Sequence, residues 1–188
     1  MTSHYDFLVD RHSVPSRQLG EPGPDAAQLD ALLRAAVAVP DHGRMEPFRF
    51  VRVAGDDRAR LGEQLAAIAR ARDPDAPEAA LDKDRGRFSR APLVLVVLAR
   101  IVPEHKVPEQ EQLLSAGCAA FNLLHAAHAL GFGAQWLTGW PAYDAQARTA
   151  MGVAPDERVV GFIHVGTPHG ERDAPKPRPL PKLSDLPR

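Results

Sequence analysis

Apolar residues fill most positions of residues 113–138. Because a helix that is apolar on all its faces cannot lie on a surface, the pattern predicts a central helix, buried in a domain or in an oligomer interface. Gly131 can take the left-handed conformation that ends helices, and Gly133 lets the chain turn into a strand at 135–137. Small side chains that would let another backbone or a flat ligand approach lie near the start of the run, at Ser115, Ala116, Gly117, Ala119 and Ala120.

Shorter segments on both sides of this run alternate between helical and strand patterns. Asp25 and Gln28 predict a capping box at the start of one helix, and residues 93–99 are too continuously apolar for a strand exposed on one face. Residues 73–90 are rich in Pro, Asp, Arg and Ala, which predicts an exposed excursion that could cover a site. The other predicted helices lie in residues 1–10, 56–68 and 143–151, and the other strands in 47–53 and 159–165.

The alternation of helices and strands predicts a layered α/β or α+β domain. A chain of 188 residues has the size of one domain with a substantial core, so residues 1–188 are interpreted as a single domain. The prolines of residues 168–188 exclude a regular helix and predict an extended tail. Leu180, Leu183 and Leu186 are its apolar anchors, expected to lie against the body of the chain or against a partner subunit.

Charge and cysteine content limit the classes of partner. The chain has 23 basic and 24 acidic residues, so charge-driven binding to nucleic acid or to a membrane is not expected. Cys118 is the only cysteine and cannot form an internal disulfide. Residues 1–10 lack the pattern of a secretion signal, so a cytoplasmic location is expected. Asn122, His125 and His128 interrupt the apolar run, which argues against a membrane span.

A cation, a histidine and a hydroxyl follow the first predicted helix at Arg11, His12 and Ser13. A phosphate monoester requires charge-assisted donors from several directions, and the planar guanidinium group of arginine suits it. The same residues also suit a solvated helix end with Ser13 as a cap. Spacing alone leaves both interpretations open.

Other site patterns are absent from the sequence. His125, His128 and Cys118 do not provide three or four converging ligands at metal-binding spacings, so no metal is expected. The pair Gly131 and Gly133 follows a helix instead of a strand, which excludes a dinucleotide-binding fingerprint. A Walker loop, a Gly-x-Ser-x-Gly elbow and a carboxylate pair typical of glycosidases are also missing.

Several motifs, taken in order along the chain, point to one family. Together with Arg11-His12-Ser13 they resemble the nitroreductase family of FMN flavoproteins, and in particular its short subgroup. The joint occurrence of the motifs in this order, rather than any single one, carries the resemblance. They lie at residues 40–42, 46–50, 88–92, 105–108 and 160–168.

The resemblance implies an α+β fold with a mixed, mostly antiparallel sheet flanked by helices. It further implies an intertwined homodimer that binds FMN at the subunit interface. In the family, residues at the positions of Arg11, His12 and Ser13 hold the FMN phosphate and ribityl chain. Arg17 is a candidate second cation, for the pyrimidine edge of the flavin or for the phosphate.

The resemblance also implies a backbone N–H donor to flavin N5 at the end of the strand that follows Gly133. This chain has Trp136, Leu137, Thr138 and Gly139 there. Thr138 and Gly139 are placed to donate without side-chain bulk. Trp136 can equally be a buried aromatic residue of the core.

In the family, the loop at residues 40–48 reaches the flavin of the partner subunit. This chain departs from the pattern, since Ala38 stands where the short subgroup has an arginine. His42 is interpreted as a flavin contact, and Arg44 as the substitute for the missing cation. The alternatives are a His42 that is hydrogen-bonded to its own backbone and an Arg44 that points to solvent.

The activity implied by the resemblance is that of an FMN-dependent oxidoreductase. It takes hydride from NADH or NADPH and reduces a small-molecule acceptor, a nitroaromatic or a quinone, by a ping-pong route. The chemistry takes place on the flavin, so no side chain is required as acid, base or nucleophile. Two other classes stay open: a flavin-binding protein without turnover, suggested by Ala38 and the altered loop, and a dimeric interaction protein without a cofactor.

Overall fold

The computed structural model describes residues 3–170, 179–184 and 186. The predicted capping box is present, because Asp25 and Gln28 each accept a hydrogen bond from the other's backbone N–H. The helices are α1 (His4–Asp10), α2 (Ala26–Ala36), α3 (Asp57–Arg72), α4 (Glu78–Arg85), α5 (Glu109–Ala129) and α6 (Ala145–Ala150). The strands are β1 (Leu19–Gly20), β2 (Phe48–Ala54), β3 (Leu93–Arg100), β4 (Gly133–Leu137) and β5 (Glu157–Pro168). Past the end of α5, Gly131 has the predicted left-handed conformation, with a φ of 85°.

The strands form one sheet in the order β4-β5-β3-β2, and β1 pairs with the C-terminal end of β5. Every strand pair among the described residues is antiparallel. Strand β3 is central, with Val96 opposite Val51 on one side and Phe162 on the other. The α+β class and the mostly antiparallel sheet implied by the resemblance are confirmed.

Helices cover both faces of this sheet. Successive side chains of a strand point to opposite faces, and in β3 they enter two different apolar clusters. Leu95 clusters with Leu32 of α2 and Leu123 of α5, whereas Val96 clusters with Leu65 of α3. Because neither face of β3 meets water, the strand is apolar from Leu93 onward, as its continuous pattern predicted.

Helix α5 lies in the centre of one layer. The close approach that its small residues predicted is made to the chain's own sheet, since Ala116 clusters with Ala99 and Ala120 belongs to the same cluster as β3. The opposite side of the helix presents larger apolar side chains. Leu114 is 59% exposed and Phe121 is 47% exposed in the single chain.

Residues 73–90 differ from the predicted exposed excursion. They contain α4, and the few apolar side chains of the segment are buried, notably Leu81 and Phe88. The Phe88 ring packs edge-on against Phe162, with 5.1 Å between the ring centroids. The prediction was wrong because average composition does not reveal where the few large side chains point.

The tail predicted for residues 168–188 begins later than expected, because Pro168 still belongs to β5 and pairs with Leu19. Residues 179–184 and 186 form neither helix nor strand, as the prolines predicted. Residues 171–178, 185, 187 and 188 lie outside the described residues. In the described part of the chain, no helix is long and apolar enough to cross a membrane.

Candidate functional site

The segment that follows α1 runs beside the first half of β4. The backbone N–H of Val14 donates to the carbonyl of Ala134 at 3.1 Å. The backbone N–H of Ser16 donates to the side-chain oxygen of Gln135 at 2.6 Å. The segment that contains the predicted phosphate-binding residues is therefore held against β4. The end of that strand carries residues 136–139, which are predicted to face the flavin ring.

Ser13 and Arg17 both have exposed side chains. Ser13 caps neither end of α1, whose N-cap is Ser3 and whose C-cap is Arg11. The interpretation of Ser13 as a helix cap is therefore wrong for α1. Its hydroxyl group and the guanidinium group of Arg17 are accessible to a ligand.

Arg11 lies close to α5. Burial lowers the pKa of His125, and the nearby charge of Arg11 lowers it further. The Phe121 ring packs edge-on against the imidazole of His125 at 4.4 Å, and neither ring nitrogen has a hydrogen-bond partner among the described residues. His125 is therefore neutral at neutral pH. Next to Arg11, the Nδ1–H of His12 donates to the carbonyl of Asp10 at 3.0 Å.

The end of β4 carries the segment predicted to face the flavin ring. Trp136 contributes its side chain to the core, where its Nε1–H donates to the carbonyl of Val160 at 3.3 Å. Leu137 is half-buried, and Thr138 is exposed. Gly139 has a φ of 143°, which side chains disfavour. Thr138 is therefore the most exposed residue of this segment, and Gly139 is half-buried.

Three arginines meet near this strand end. Burial lowers the pKa of Arg90, and the charges of Arg17 and Arg87 lower it further, while Asp84 acts in the opposite direction. Asp84 is already paired with Arg87 at 2.6 Å. A Cβ atom added to Gly139 would lie 2.9 Å from the Arg87 guanidinium group. A surplus of positive charge thus adjoins the strand end.

Sequence reasoning missed Arg87 and Arg90 as residues near the site. The reason is that residues 73–90 were assigned to an exposed excursion, in which arginines are ordinary surface residues. The available signal was the family motif at residues 88–92, which contains Arg90.

The donors around β4 fit the phosphate monoester of FMN. Arg11 and Ser13 offer a guanidinium group and a hydroxyl group, the donors that phosphate oxygens accept from most readily. The surplus charge at Arg17 and Arg90 favours an anion from outside the chain. The chemistry of this donor set therefore suits the cofactor that the resemblance implies.

The loop after α2 is shaped by Asp41. Its carboxylate accepts hydrogen bonds from the backbone N–H groups of Met45 at 3.1 Å and Glu46 at 2.8 Å. These contacts support the positive φ angles of Arg44 (52°) and Glu46 (49°), which are unfavourable for residues other than glycine. Arg44 lines a cleft of about 470 Å³, together with Val37, Val39, Asp41, Glu46 and Phe48.

His42 lies in the same loop and is exposed. Its Nδ1 lies 2.7 Å from Oε2 of Glu111 in the first turn of α5, so its partner is a carboxylate and not its own backbone. Arg11, by contrast, lies close to His125. Because a helix rises about 1.5 Å per residue, positions 111 and 125 are about 21 Å apart along α5. One chain therefore holds Arg11 and the His42 loop near opposite ends of α5.

The described residues contain no group of three or more His, Cys, Asp or Glu side chains arranged to hold a metal ion. Cys118 is exposed on α5. His128 is engaged by a ring contact with Phe7 of α1, with 5.1 Å between the centroids.

Comparison with known proteins places the chain in a family. A family model described as "Nitroreductase family" matches residues 8–167. The chain is 39% identical over 163 residues to "Putative NAD(P)H nitroreductase YdjA" of Escherichia coli K12, which covers 87% of each chain. It is 36% identical over 162 residues to "Putative NAD(P)H nitroreductase" of Haemophilus influenzae, which covers 86% of each chain. The chain therefore belongs to the nitroreductase family, as its motifs indicated.

Solved structures share the fold. The TM-score is 0.77 against the nitroreductase-like family protein from Bacillus cereus, at 22% identity over 97% of this chain and 92% of that one. It is 0.73 against a nitroreductase with bound FMN from Bacteroides fragilis, at 20% identity over 97% of both chains. At such identities the likeness shows the fold alone.

Proposed function

We propose that this chain is an FMN-dependent oxidoreductase, which takes electrons from NADH or NADPH and reduces nitroaromatic or quinone-type acceptors by a ping-pong route. The observation that carries the proposal is the arrangement at β4. Ser13 and Arg17 are exposed beside a strand that is followed by the exposed Thr138 and by Gly139. Family membership, and a fold neighbour that was solved with bound FMN, support the cofactor. The names of the relatives support the nicotinamide donor.

The role of each residue follows from its chemistry. Arg11 and Ser13 bind the phosphate by charge-assisted and hydroxyl hydrogen bonds, with His12 beside them. Arg17 supplies positive charge toward the pyrimidine edge or the phosphate, and the backbone of Thr138 and Gly139 donates to N5. When bound, FMN supplies the hydride chemistry itself, so no side chain is needed as acid, base or nucleophile.

The proposed active form is a homodimer, because one chain leaves the site incomplete. Arg11 and the His42 loop lie near opposite ends of α5, so we infer that the loop of a second chain completes each site. The exposed side chains of Leu114 and Phe121 offer an apolar surface for this contact. Arg44 would then supply the cation that is missing at Ala38. The single cysteine of the sequence is in keeping with a reducing cytoplasm.

Anaerobic titration of FMN-loaded protein tests the proposal. The visible absorbance of the bound flavin is followed while NADH or NADPH is added, and a nitroaromatic or a quinone is added afterwards. We expect one of the nucleotides to bleach the flavin and the acceptor to restore the colour. Steady-state rates should show the parallel reciprocal plots of a ping-pong reaction.

The same titration separates the competing classes. Bound flavin that neither nucleotide bleaches would indicate a flavin-binding protein without turnover. Protein that binds no FMN would leave a dimeric interaction protein, and would contradict the proposed function.

A further inference from the structure

One carboxylate oxygen next to the proposed site accepts three hydrogen bonds. Oδ1 of Asp84, near the end of α4, accepts from Nε and Nη2 of Arg87 at 3.2 and 2.6 Å, and from Nε1 of Trp140 at 3.0 Å. The side chains of Asp84 and Arg87 are only 12% and 15% exposed. A buried ion pair of this kind holds its geometry, because separating it would leave a buried charge without a partner.

This network adjoins the residue that ends the predicted flavin segment. Gly139 directly precedes Trp140, and the Arg87 guanidinium group lies where a side chain of Gly139 would begin. The indole ring of Trp140 is also held from α3, since the guanidinium carbon of Arg72 lies 5.1 Å from the ring centroid. The turn after β4 is therefore fixed by side chains from α3 and from the segment around α4.

The network is also linked to the sheet. The Nε2–H of His164 in β5 donates to the backbone carbonyl of Arg87 at 3.1 Å, and the His164 ring stacks on Phe88 at 6.2 Å. Burial lowers the pKa of His164, so the neutral ring keeps this hydrogen bond. Because His164 is opposite Gln135 of β4, Arg87 is connected to the middle of that strand as well as to the turn at its end.

We propose that Asp84, Arg87 and Trp140 are positioning residues, which fix the backbone of Thr138 and Gly139 for contact with the isoalloxazine ring. The inference rests on the proposed FMN-dependent function and gives the segment around α4 a part in that site. Gly139 has no side chain to restrain its peptide planes, so the direction of its N–H depends on its neighbours. Arg87 and Trp140 are those neighbours, and Asp84 joins them.

Two conservative variants test this inference. Trp140→Phe removes the indole N–H together with the smaller ring of the indole but keeps an aromatic side chain, and Asp84→Asn keeps an oxygen acceptor but removes the charge. The matched control is Asp82→Asn on the same helix, because Asp82 is exposed and pairs with Arg85. Dissociation constants are measured for FMN and for riboflavin, together with the absorption spectrum and the midpoint potential of the bound flavin.

Both test variants should weaken FMN and riboflavin binding equally, by roughly fivefold to tenfold, which is the effect of one hydrogen bond of ordinary strength. They should also shift the spectrum and the midpoint potential, whereas Asp82→Asn should change none of these quantities. Equal losses for both flavins are expected because the ring is common to them and the phosphate is not.

Three results would contradict the inference or the function on which it rests. Folded variants that lose thermal stability but keep their flavin constants, spectrum and potential would show that the network only anchors α4, and would overturn the inference. A loss confined to FMN would place the network at the phosphate and would also overturn it. Wild-type protein that binds neither flavin would instead overturn the proposed function.

Discussion

Single residues around β4 decide what the site can bind, and arginine dominates among them. Arg17 and Arg90 lie close enough for their charges to interact, and the nearest acid in that set, Asp84, is engaged by Arg87. Two like charges that share a surface raise the free energy of the empty site and favour a bound anion. The balancing charge is therefore expected from a ligand, and a phosphate monoester has the required sign.

Arg11 provides a direct test of the phosphate assignment. Removal of one partner from a charge-assisted contact should cost on the order of 1.5–3 kcal/mol, so Arg11→Ala should weaken FMN binding by about tenfold or more. Riboflavin, which lacks the phosphate, should bind almost unchanged. Arg34→Ala, at an exposed position on α2, is the control, and equal losses for FMN and riboflavin would place Arg11 away from the phosphate.

Arg44 is the proposed substitute for the cation missing at Ala38. If its charge stabilises the reduced flavin of the partner subunit by about 1.4 kcal/mol, Arg44→Ala should lower the midpoint potential by about 30 mV in this two-electron couple. Alanine keeps the Cβ atom, so the strain of the positive φ stays the same. Arg52→Ala, at an exposed position of β2, is the control for the loss of one positive charge elsewhere on the chain. Unchanged potential and FMN affinity would assign Arg44 to the surface.

Acid should destabilise the fold through His164. Burial lowers its pKa below the ordinary value of 6.5, so below that pH the unfolded chain binds a proton that the folded protein does not. The free energy of unfolding should then fall as the pH decreases below 6.5, by at most about 1.4 kcal/mol per pH unit from this residue, and the effect should vanish above it. His164→Gln should flatten the profile in urea unfolding between about pH 7.5 and about pH 5.5. Parallel pH profiles for the wild-type protein and His164→Gln would contradict a contribution from His164.

The residues that sequence reasoning located differ in kind from those it missed. Ser13 and Thr138 carry local signals, a polar group shortly after a helix and a polar group directly after a strand. The role of Asp84 depends instead on Trp140, which is far away in sequence and reaches it only through the folded sheet. No local pattern contains that information.

At the scale of secondary-structure elements, the apolar pattern was sufficient to predict the helices and strands that are extensively buried. The continuous run of β3 and the long apolar stretch of α5 both lie between other layers, so their patterns reflect the fold directly. Helix α4 was missed because its surface is mostly charged and only Leu81 and Asp84 are buried. The proposed partner for the outward face of α5 is equally invisible in the pattern, since it would be a second chain.

A charge on that outward face should separate the proposed subunits. Phe121 is exposed in the single chain, so Phe121→Arg should leave the core intact, whereas Ala120→Arg would disrupt it because Ala120 is fully buried. We expect sedimentation to show monomeric protein that no longer retains flavin. Gln64→Arg at an exposed position of α3 should remain dimeric. A dimeric, FMN-binding Phe121→Arg protein would exclude this interface.

At the scale of the whole molecule, exposed apolar residues lie on elements that pack on each other. Phe7 packs α1 against His125 of α5 with 5.7 Å between ring centroids, and both helices expose large apolar side chains, among them Leu8 and Leu114. Soluble monomers rarely expose contiguous apolar patches of substantial size. Association through these two helices would cover the patch, and it would bring a second His42 loop into the assembly.

The described part of the tail also lacks an apolar partner within its own chain. Leu180, Leu183 and Leu186 are 94%, 96% and 89% exposed, so they do not pack against the body, one of the two positions expected from the sequence. Burial of a leucine side chain contributes about 1.5–3 kcal/mol. The remaining expectation is that these side chains pack against the partner subunit.

A chain that ends at Gly170 tests this expectation. The truncation keeps the pairing of Pro168 with β1 and the hydrogen bond from the His169 N–H to the Gln18 carbonyl, so the fold of each subunit should survive. If the leucines cover the partner, the dimer dissociation constant should rise and the melting temperature should fall, with a stronger dependence on protein concentration. Full-length protein with serine at all three leucine positions keeps the length of the tail but removes its apolar side chains. It therefore distinguishes the effect of apolar contact from the effect of chain length. Matching losses in both proteins would assign the stabilisation to the leucines, whereas unchanged dimer affinity and melting temperature in both would mean that the tail contributes nothing to the assembly.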